Sequence, residues 1–438
     1  MTGGRSHDKP EYIRLGEADR SALFSSGLEY NPPARGMWNI VHTGMLVPGA
    51  HEIFACAQGC LRGVILTAAE MLTLDRMSWI SVSESDMFDG TLESDIIDGV
   101  EDILGRIGKR PPVVLLYLSC IHLFAGVDFE EIIRELSARH PDITFVDCYM
   151  TPTMRKTVTP VMKMSSQIYG ALKPLPLNRK AVGIVGCDRA TDQDSELVRM
   201  IRNSGCEYRD IALCKSYEEY LGLAECYLNI SCIPTGILAG EELEQRFGAK
   251  HLHLPARYDP EGLRENYRRL AEALGIECPD LSVEEAEAER ALCEARQVIG
   301  DTPVAIDYTA VTRPFELGLL LIRHGFNVKY IIADTASGEE DPFDRLRAEA
   351  PDILVYSSVN VNMLDMPERE HERILAVGQK AAYYFSTDNF VDIVVNGGLY
   401  GFTGIRKLAE LMREAALEPK DKRRLISHKG WGCASCLG

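Results

Sequence analysis

Four cysteines early in the chain have the type and spacing of metal ligands. Cys56 and Cys60 sit in "HEIFACAQGCLRGV", where an apolar, strand-like run ends in a glycine turn. Cys120 follows the buried-looking run "PPVVLLYLS", and Cys148 stands near the end of "ITFVDCY". Parallel strands deliver their carboxyl ends to one rim of a sheet, so Cys60, Cys120 and Cys148 are expected to converge there. Soft thiolates screened from water are what iron–sulfur centres require. The plainer reading of each is a space-filling core thiol, because free cysteine is among the most buried residue types. Among their neighbours, Arg62 would balance cluster charge or face solvent. Glu84 and Asp86 would ligate iron, relay protons or sit in a solvated loop. His122 reads as a satisfied core histidine.

Two further signals lie late in the chain. Cys433-Ala434-Ser435-Cys436 is a CxxC, which holds half a metal site, forms a redox disulfide, or is an inert tail. The loop Gly397-Gly398…Gly401…Gly404 lets backbone approach a ligand at a helix start, or merely turns the chain. Other chemistries lack their fingerprints. "GRIGKRPP" misses the first glycine and the hydroxyl residue of a phosphate loop, and no GxGxxG, HExxH, GxSxG or paired CxxC occurs. This points away from NAD or ATP chemistry in this chain.

The formal net charge of −18 is the wrong sign for a general nucleic-acid binder. The 13 cysteines are scattered through strand-like and helix-like segments, unlike a secreted disulfide scaffold. The polar N-terminus carries no apolar signal core. The longest apolar run, "VVLLYLSCIHLFAGV", is too short and too polar to span a bilayer. A cytoplasmic protein with mostly reduced thiols and neither a membrane nor a nucleic-acid partner is expected.

The elements that must position these residues repeat in kind. Within 26–175, strand-like "HEIFACA", "SWISVS", "PPVVLLYLS" and "ITFVDCY" alternate with amphipathic helical stretches such as "LESDIIDGVEDILGRI". The alternation restarts over 176–300 from "RKAVGIVGCD", and again over 301–420 from "DTPVAIDYTA". A polar tail, 1–25, precedes them, and a basic tail with the CxxC, 421–438, follows. Strands alternating with helices imply parallel sheets covered on both faces. The expected fold is α/β, with three Rossmann-like doubly wound domains and ligand space beyond the strand ends.

The ordered set "FACAQGC", "SESDMFDG", "LSCIHLFAGVD" and "FVDCYMTP" resembles the nitrogenase component 1 family. That family includes the nitrogenase catalytic subunits, their cofactor-assembly homologues, dark-operative protochlorophyllide reductase and the nickel-tetrapyrrole reductive cyclase. Under the resemblance, Cys60 matches the cysteine of the H-G-x-x-G-C turn and Cys120 the second cluster cysteine. Ala125-Gly126-Val127-Asp128 fits the short glycine–aspartate motif that follows. There are departures. Ala55 stands for histidine, Cys56 for glycine, and the region near Arg35 lacks a cysteine. The resemblance therefore implies a [4Fe-4S] cluster between two subunits rather than an eight-iron cluster. Cys60 and Cys120 would come from each side of a homodimer, or of a heterodimer with a paralogous subunit. Cys56 is a substitute ligand or a second buried thiol.

Ungapped comparison from "EELEQRFG" puts Cys232 on the cofactor-ligand cysteine of nitrogenase, and Tyr400 falls at its histidine. Tyrosine is a poor ligand for molybdenum, which argues against the usual cofactor. It leaves open a cavity for another substrate or cluster, walled by Cys232, Tyr400 and Gly398; Cys232 reads equally as a core thiol. The function implied is an oxidoreductase subunit. It would take low-potential electrons from a separate ATP-dependent iron–sulfur reductase and pass them to a small molecule. A scaffold that carries or assembles an iron–sulfur cofactor without turnover is the alternative, and a cofactor-free binding protein the plainest one. Substrate identity stays open, with nitrogen least favoured.

Overall fold

Runs such as Val113–Ser119, apolar at almost every position, can lie only in the middle of a sheet covered on both faces, and all seven residues are buried. The computed structural model describes residues 11–24, 36–151 and 158–422. Cys433, Cys436 and Arg35 lie outside the described residues. In chain order the strands begin with β1 (Tyr12–Arg14), β2 (His51–Ala57), β3 (Met77–Val82), β4 (Val113–Ser119) and β5 (Thr144–Met150). Next come β6 (Asn178–Ile184), β7 (Glu207–Asp210), β8 (Cys226–Ser231) and β9 (Lys250–His253). The last are β10 (Val304–Asp307), β11 (Val328–Ile332), β12 (Leu354–Tyr356), β13 (Leu375–Val377) and β14 (Phe390–Val391).

They form three sheets, and the chain divides into two compact units. One unit comprises Trp38–Ala190 and Ile201–Pro255. It holds two parallel four-stranded sheets of identical plan, β3-β2-β4-β5 and β7-β6-β8-β9. The first is a sandwich of side chains. Phe54, Cys56, Leu115, Tyr117, Val146 and Cys148 fill one face, and Ile53, Ala55, Val114, Leu116 and Leu118 the other. The helix Leu92–Arg106 covers the second face through Leu92, Ile96, Val100 and Leu104, a four-residue spacing that keeps one stripe inward. Each such side chain contributes about 1.5–3 kcal/mol by leaving water.

The other unit comprises the described residues of Met1–Met37, Thr191–Met200 and Ala256–Gly438. Its sheet has the order β1-β12-β11-β10-β13-β14, parallel except for β1, which pairs antiparallel with β12 through Tyr12↔Tyr356. Residues 12–14, read from sequence as part of a polar tail, thus close an edge of this sheet. The helices Pro260–Leu274 and Ser282–Ile299 follow the second sheet in sequence but belong to this unit. The reason is packing: Ser282–Ile299 buries Ala288, Leu292, Ala295 and Ile299 and lies along the helix Gly401–Leu417. The doubly wound α/β reading from sequence therefore holds at the level of the sheets.

Candidate functional site

The order β3-β2-β4-β5 fixes where a ligand can sit. The chain crosses from β2 to β3 on one side and returns to β4 on the other, so the crevice opens between the carboxyl ends of β2 and β4. Hydrogen bonds hold the chain before β2 and after β4. Arg76 ties down the chain entering β2, donating from Nη2 to Val47 O at 2.8 Å and from Nε to Ala50 O at 3.2 Å. The helix Gln58–Glu70 starts directly after β2, which puts Cys60 in its first turn. After β4, Ser119 and His122 cap the helix Cys120–Ala125 reciprocally, with Ser119 N donating to His122 Nδ1 at 3.2 Å. Burial lowers the pKa of His122, which fits a structural imidazole. Gly126 ends that helix in the left-handed region, at φ 72°. Asp128 caps the next helix, Oδ1 accepting from Glu131 N at 3.0 Å.

Cys56, Cys60 and Cys120 lie within electrostatic reach of one another at this crevice. Their environments differ. Cys60 is exposed, Cys120 half-buried and Cys56 buried. Burial, and then the charges of Cys60 and Cys120, push the Cys56 thiol up to about 12. Burial and Cys120 also raise Cys60. Cys148 is not brought to the rim. It is the fifth residue of β5, cross-strand from Tyr117, and burial holds its thiol well above the usual range. Asp86 is occupied locally, its Oδ2 accepting from Ser83 N at 2.8 Å to cap a short helix. Among the described residues, no three His, Cys, Asp or Glu side chains form a set that could hold a metal ion. Two accessible thiols at one crevice fit half of a four-thiolate set, so the other half would come from a second chain.

Two features of this unit escape sequence reasoning. Glu52, four residues before Cys56 in β2, is wholly buried, and burial raises its carboxyl well above the ordinary range. Neither of its oxygens has a hydrogen-bond partner among the described residues, and nor do Tyr117 Oη and Gln167 Nε2. Gly44 makes room for them: a Cβ there would come within 2.0 Å of Glu52 Oε1 and 2.6 Å of Tyr117 Oη. The second feature is Cys187. It lies just past β6 as Cys232 lies just past β8, with Ile184 opposite Ile230 in register. This is the same crevice position in the second sheet. Burial leads in raising the Cys187 thiol, and the charges of Asp188, Asp210 and Cys232 add to it. Cys232 is pushed up to about 12, by burial first and Asp210 second. "GIVGCD" repeats the strand–glycine–cysteine pattern of "CAQGC", which was the available signal.

In the other unit, Tyr400 and the glycine loop are fastened by hydrogen bonds. Tyr400 Oη accepts from Asn266 Nδ2 at 3.0 Å. Glu196, buried, accepts from Thr403 N at 2.9 Å, Thr403 Oγ1 at 2.6 Å and Tyr267 Oη at 2.7 Å. Gly401 has φ +75°, and a Cβ there would meet Tyr267 Oη at 1.9 Å. Gly398 O accepts from Asp192 N at 2.9 Å. The space beside Tyr400, lined also by Arg257, Asn396 and Gly404, amounts to about 10 Å³, room for one water at most.

Comparison with known proteins agrees with this architecture. The family model described as nitrogenase component 1 type oxidoreductase matches residues 41–416. The solved structure of nitrogenase Cp1 at pH 6.5 is similar with a TM-score of 0.68 at 16% identity, covering 92% of this chain and 96% of that one. Nitrogenase Cp1 at pH 5 gives a TM-score of 0.58 at 12% identity, covering 93% of each. At such identities the structural likeness speaks for the fold alone. No curated protein sequence matches the chain. No helix among the described residues is long and apolar enough to cross a membrane.

Proposed function

Since this chain belongs to the nitrogenase component 1 type oxidoreductases, we propose that it is a nitrogenase-like reductase component built around an iron–sulfur cluster. The cluster is of the [4Fe-4S] type and is shared between two copies of the chain. Cys60 and Cys120 of each copy supply its thiolates, and the buried thiol of Cys56 lies behind them. Bound there, the cluster supplies one-electron storage and transfer. The protein's own part is to hold the two thiols at one crevice, exclude water beneath them with the β2 and β4 side chains, and fix the turns that carry them. Electrons come from a separate ATP-dependent iron–sulfur reductase, in keeping with the missing phosphate loop in this chain. They go to a small molecule. The half-buried thiol of Cys187 and the buried thiol of Cys232 mark the crevice of the second sheet as a second candidate position for a cofactor or substrate.

The observation that carries this reading is that Cys56, Cys60 and Cys120 lie within electrostatic reach of one another at the β2–β4 crevice. Anaerobic purification followed by iron and sulfide analysis and electron paramagnetic resonance of the reduced protein tests it. About four irons per two chains are expected, with loss of both iron and signal in Cys60→Ser and Cys120→Ser. Protein that folds without iron, or iron retained in both variants, overturns it. Reduction of the centre only in the presence of ATP and an iron-protein-type donor separates an enzyme from a cluster scaffold.

A further inference from the structure

The carboxyl end of the second sheet carries an arrangement that neither thiol chemistry nor core packing explains. Ser231, the last residue of β8, is 0% exposed. Its Oγ lies 2.9 Å from His251 Nε2 and 2.9 Å from His253 Nδ1. His253 is the last residue of β9, directly opposite Ser231 in register, and Cys232 follows Ser231 in the chain. His251 is held against the helix Ile237–Phe247 by the missing side chain of Gly240, whose Cβ would fall 2.1 Å from the ring. That helix brings the exposed carboxylates of Glu241 and Glu244 within electrostatic reach of His251. Burial is the larger influence on this imidazole and lowers its pKa.

A serine hydroxyl has one proton. It can donate to only one of two imidazoles, so the other must donate to it. Whenever the hydroxyl donates to one of the rings, the two histidines hold opposite states at their facing nitrogens. Such a chain can pass a proton without moving a heavy atom. A proton reaches His251 Nδ1, the Nε2 proton moves to Ser231 Oγ, the hydroxyl proton moves to His253 Nδ1, and the Nε2 proton of His253 leaves. One proton enters and one leaves, and both tautomers are exchanged.

We propose that His251, Ser231 and His253 are a proton relay. It carries protons from the acidic surface at Glu241 and Glu244 to the rim of the second sheet beside Cys187 and Cys232. The proposal rests on the reductase reading, because reduction consumes protons as well as electrons, and it assigns the delivery of those protons to this sheet.

Two measurements test it. In protein labelled with nitrogen-15 histidine, the facing nitrogens of His251 and His253 should be in opposite protonation states at neutral pH, and Ser231→Ala should let the two rings titrate independently. Both facing nitrogens in the same state overturns the relay. With the ATP-dependent donor and hydrogen evolution as the probe (two electrons and two protons per H₂), Ser231→Ala should lose about 100-fold in turnover. It should still accept electrons at the wild-type rate, and Ser231→Thr, which restores the hydroxyl, should recover turnover. Unchanged turnover in Ser231→Ala overturns the relay. If the wild type takes no electrons from the donor, the reductase reading fails instead, and the tautomers alone decide the relay.

Discussion

Cys60 and Cys56 are one turn of chain apart and belong to different chemistries. The first is open to a partner, and the second is sealed in the core beneath it, where burial raises its thiol. A ligand to a centre shared with a second chain must be reachable from outside, and Cys56 is buried behind Cys60, so Cys56→Ser is expected to retain iron within error of wild type. Cys148→Ser should do the same, because its sulfur lies in the core beside Tyr117 rather than at the rim. Iron analysis of the two purified variants checks this, and loss of iron from either would move that residue into the ligand set. A second titrating group lies away from the thiols. Glu339 accepts from Glu316 N at 2.8 Å, and burial, its leading influence, raises its carboxyl to about 8. The native state thus holds a proton that the unfolded chain, with an ordinary value of 4.5, has released. Its contribution is fully present below about 4.5 and is lost as pH rises through about 8. Glu339→Gln, which keeps the acceptor oxygen but cannot ionise, should flatten the fall of urea-unfolding free energy between those values. An unchanged slope would show that Glu339 does not carry it.

At the scale of elements, close approaches rather than caps set the constraints. The short helix Ile40–Met45 presses its Gly44 onto Glu52 and Tyr117, on the face of the sheet that also holds Cys56. Gly44→Ala must push aside a carboxyl and a phenol in a close-packed interior, a cost of about 1–3 kcal/mol. Urea denaturation should show that loss, and adding Glu52→Ala should recover much of it by emptying the space. No loss in Gly44→Ala would mean the contact relaxes freely. These contacts also mark how far the sequence could be read. The strands were legible because Val113–Ser119 and its like have no polar face to solvate, and the turn cysteines because glycine and thiol sit where such strands end. The approach of Cys60 to Cys120 needed only the strand order β3-β2-β4-β5. Glu52 was not legible: an acid inside an apolar run reads as an edge or an error until Gly44, buried in the helix just upstream, is seen to make its space. Cys148 lies two residues before the end of its strand, one repeat of the pleat too early to reach the rim, a difference that periodicity does not resolve. The grouping of the helix Ser282–Ile299 with the last sheet depends on its partner Gly401–Leu417, more than a hundred residues away, and long-range pairing of that kind leaves no local mark.

For the whole molecule, the reading stands or falls on association. The short helices that follow β3 and β4 carry Phe88, 88% exposed, and Phe124, 78% exposed, beside Met87 and Leu123. Both helices start at the rim that presents Cys60 and Cys120. A monomer gains nothing from large apolar side chains in water at the mouth of the proposed cluster site, and burying each phenylalanine contributes about 1.5–3 kcal/mol. A second copy brought to this rim would cover them and complete the four thiolates in one step. Charge opposes the approach, since each copy carries −18. Screening should therefore tighten the pair: sedimentation at rising salt is expected to shift the protein toward dimer, the reverse of an association driven by opposite charges. Phe88→Glu with Phe124→Glu should sediment as a monomer with unchanged far-ultraviolet circular dichroism, and should lose iron with the dimer although every cysteine remains. A monomeric double variant that keeps its full iron would place all the ligands within one chain and remove the shared centre. A wild-type dimer that loosens with salt would place the interface elsewhere on the surface.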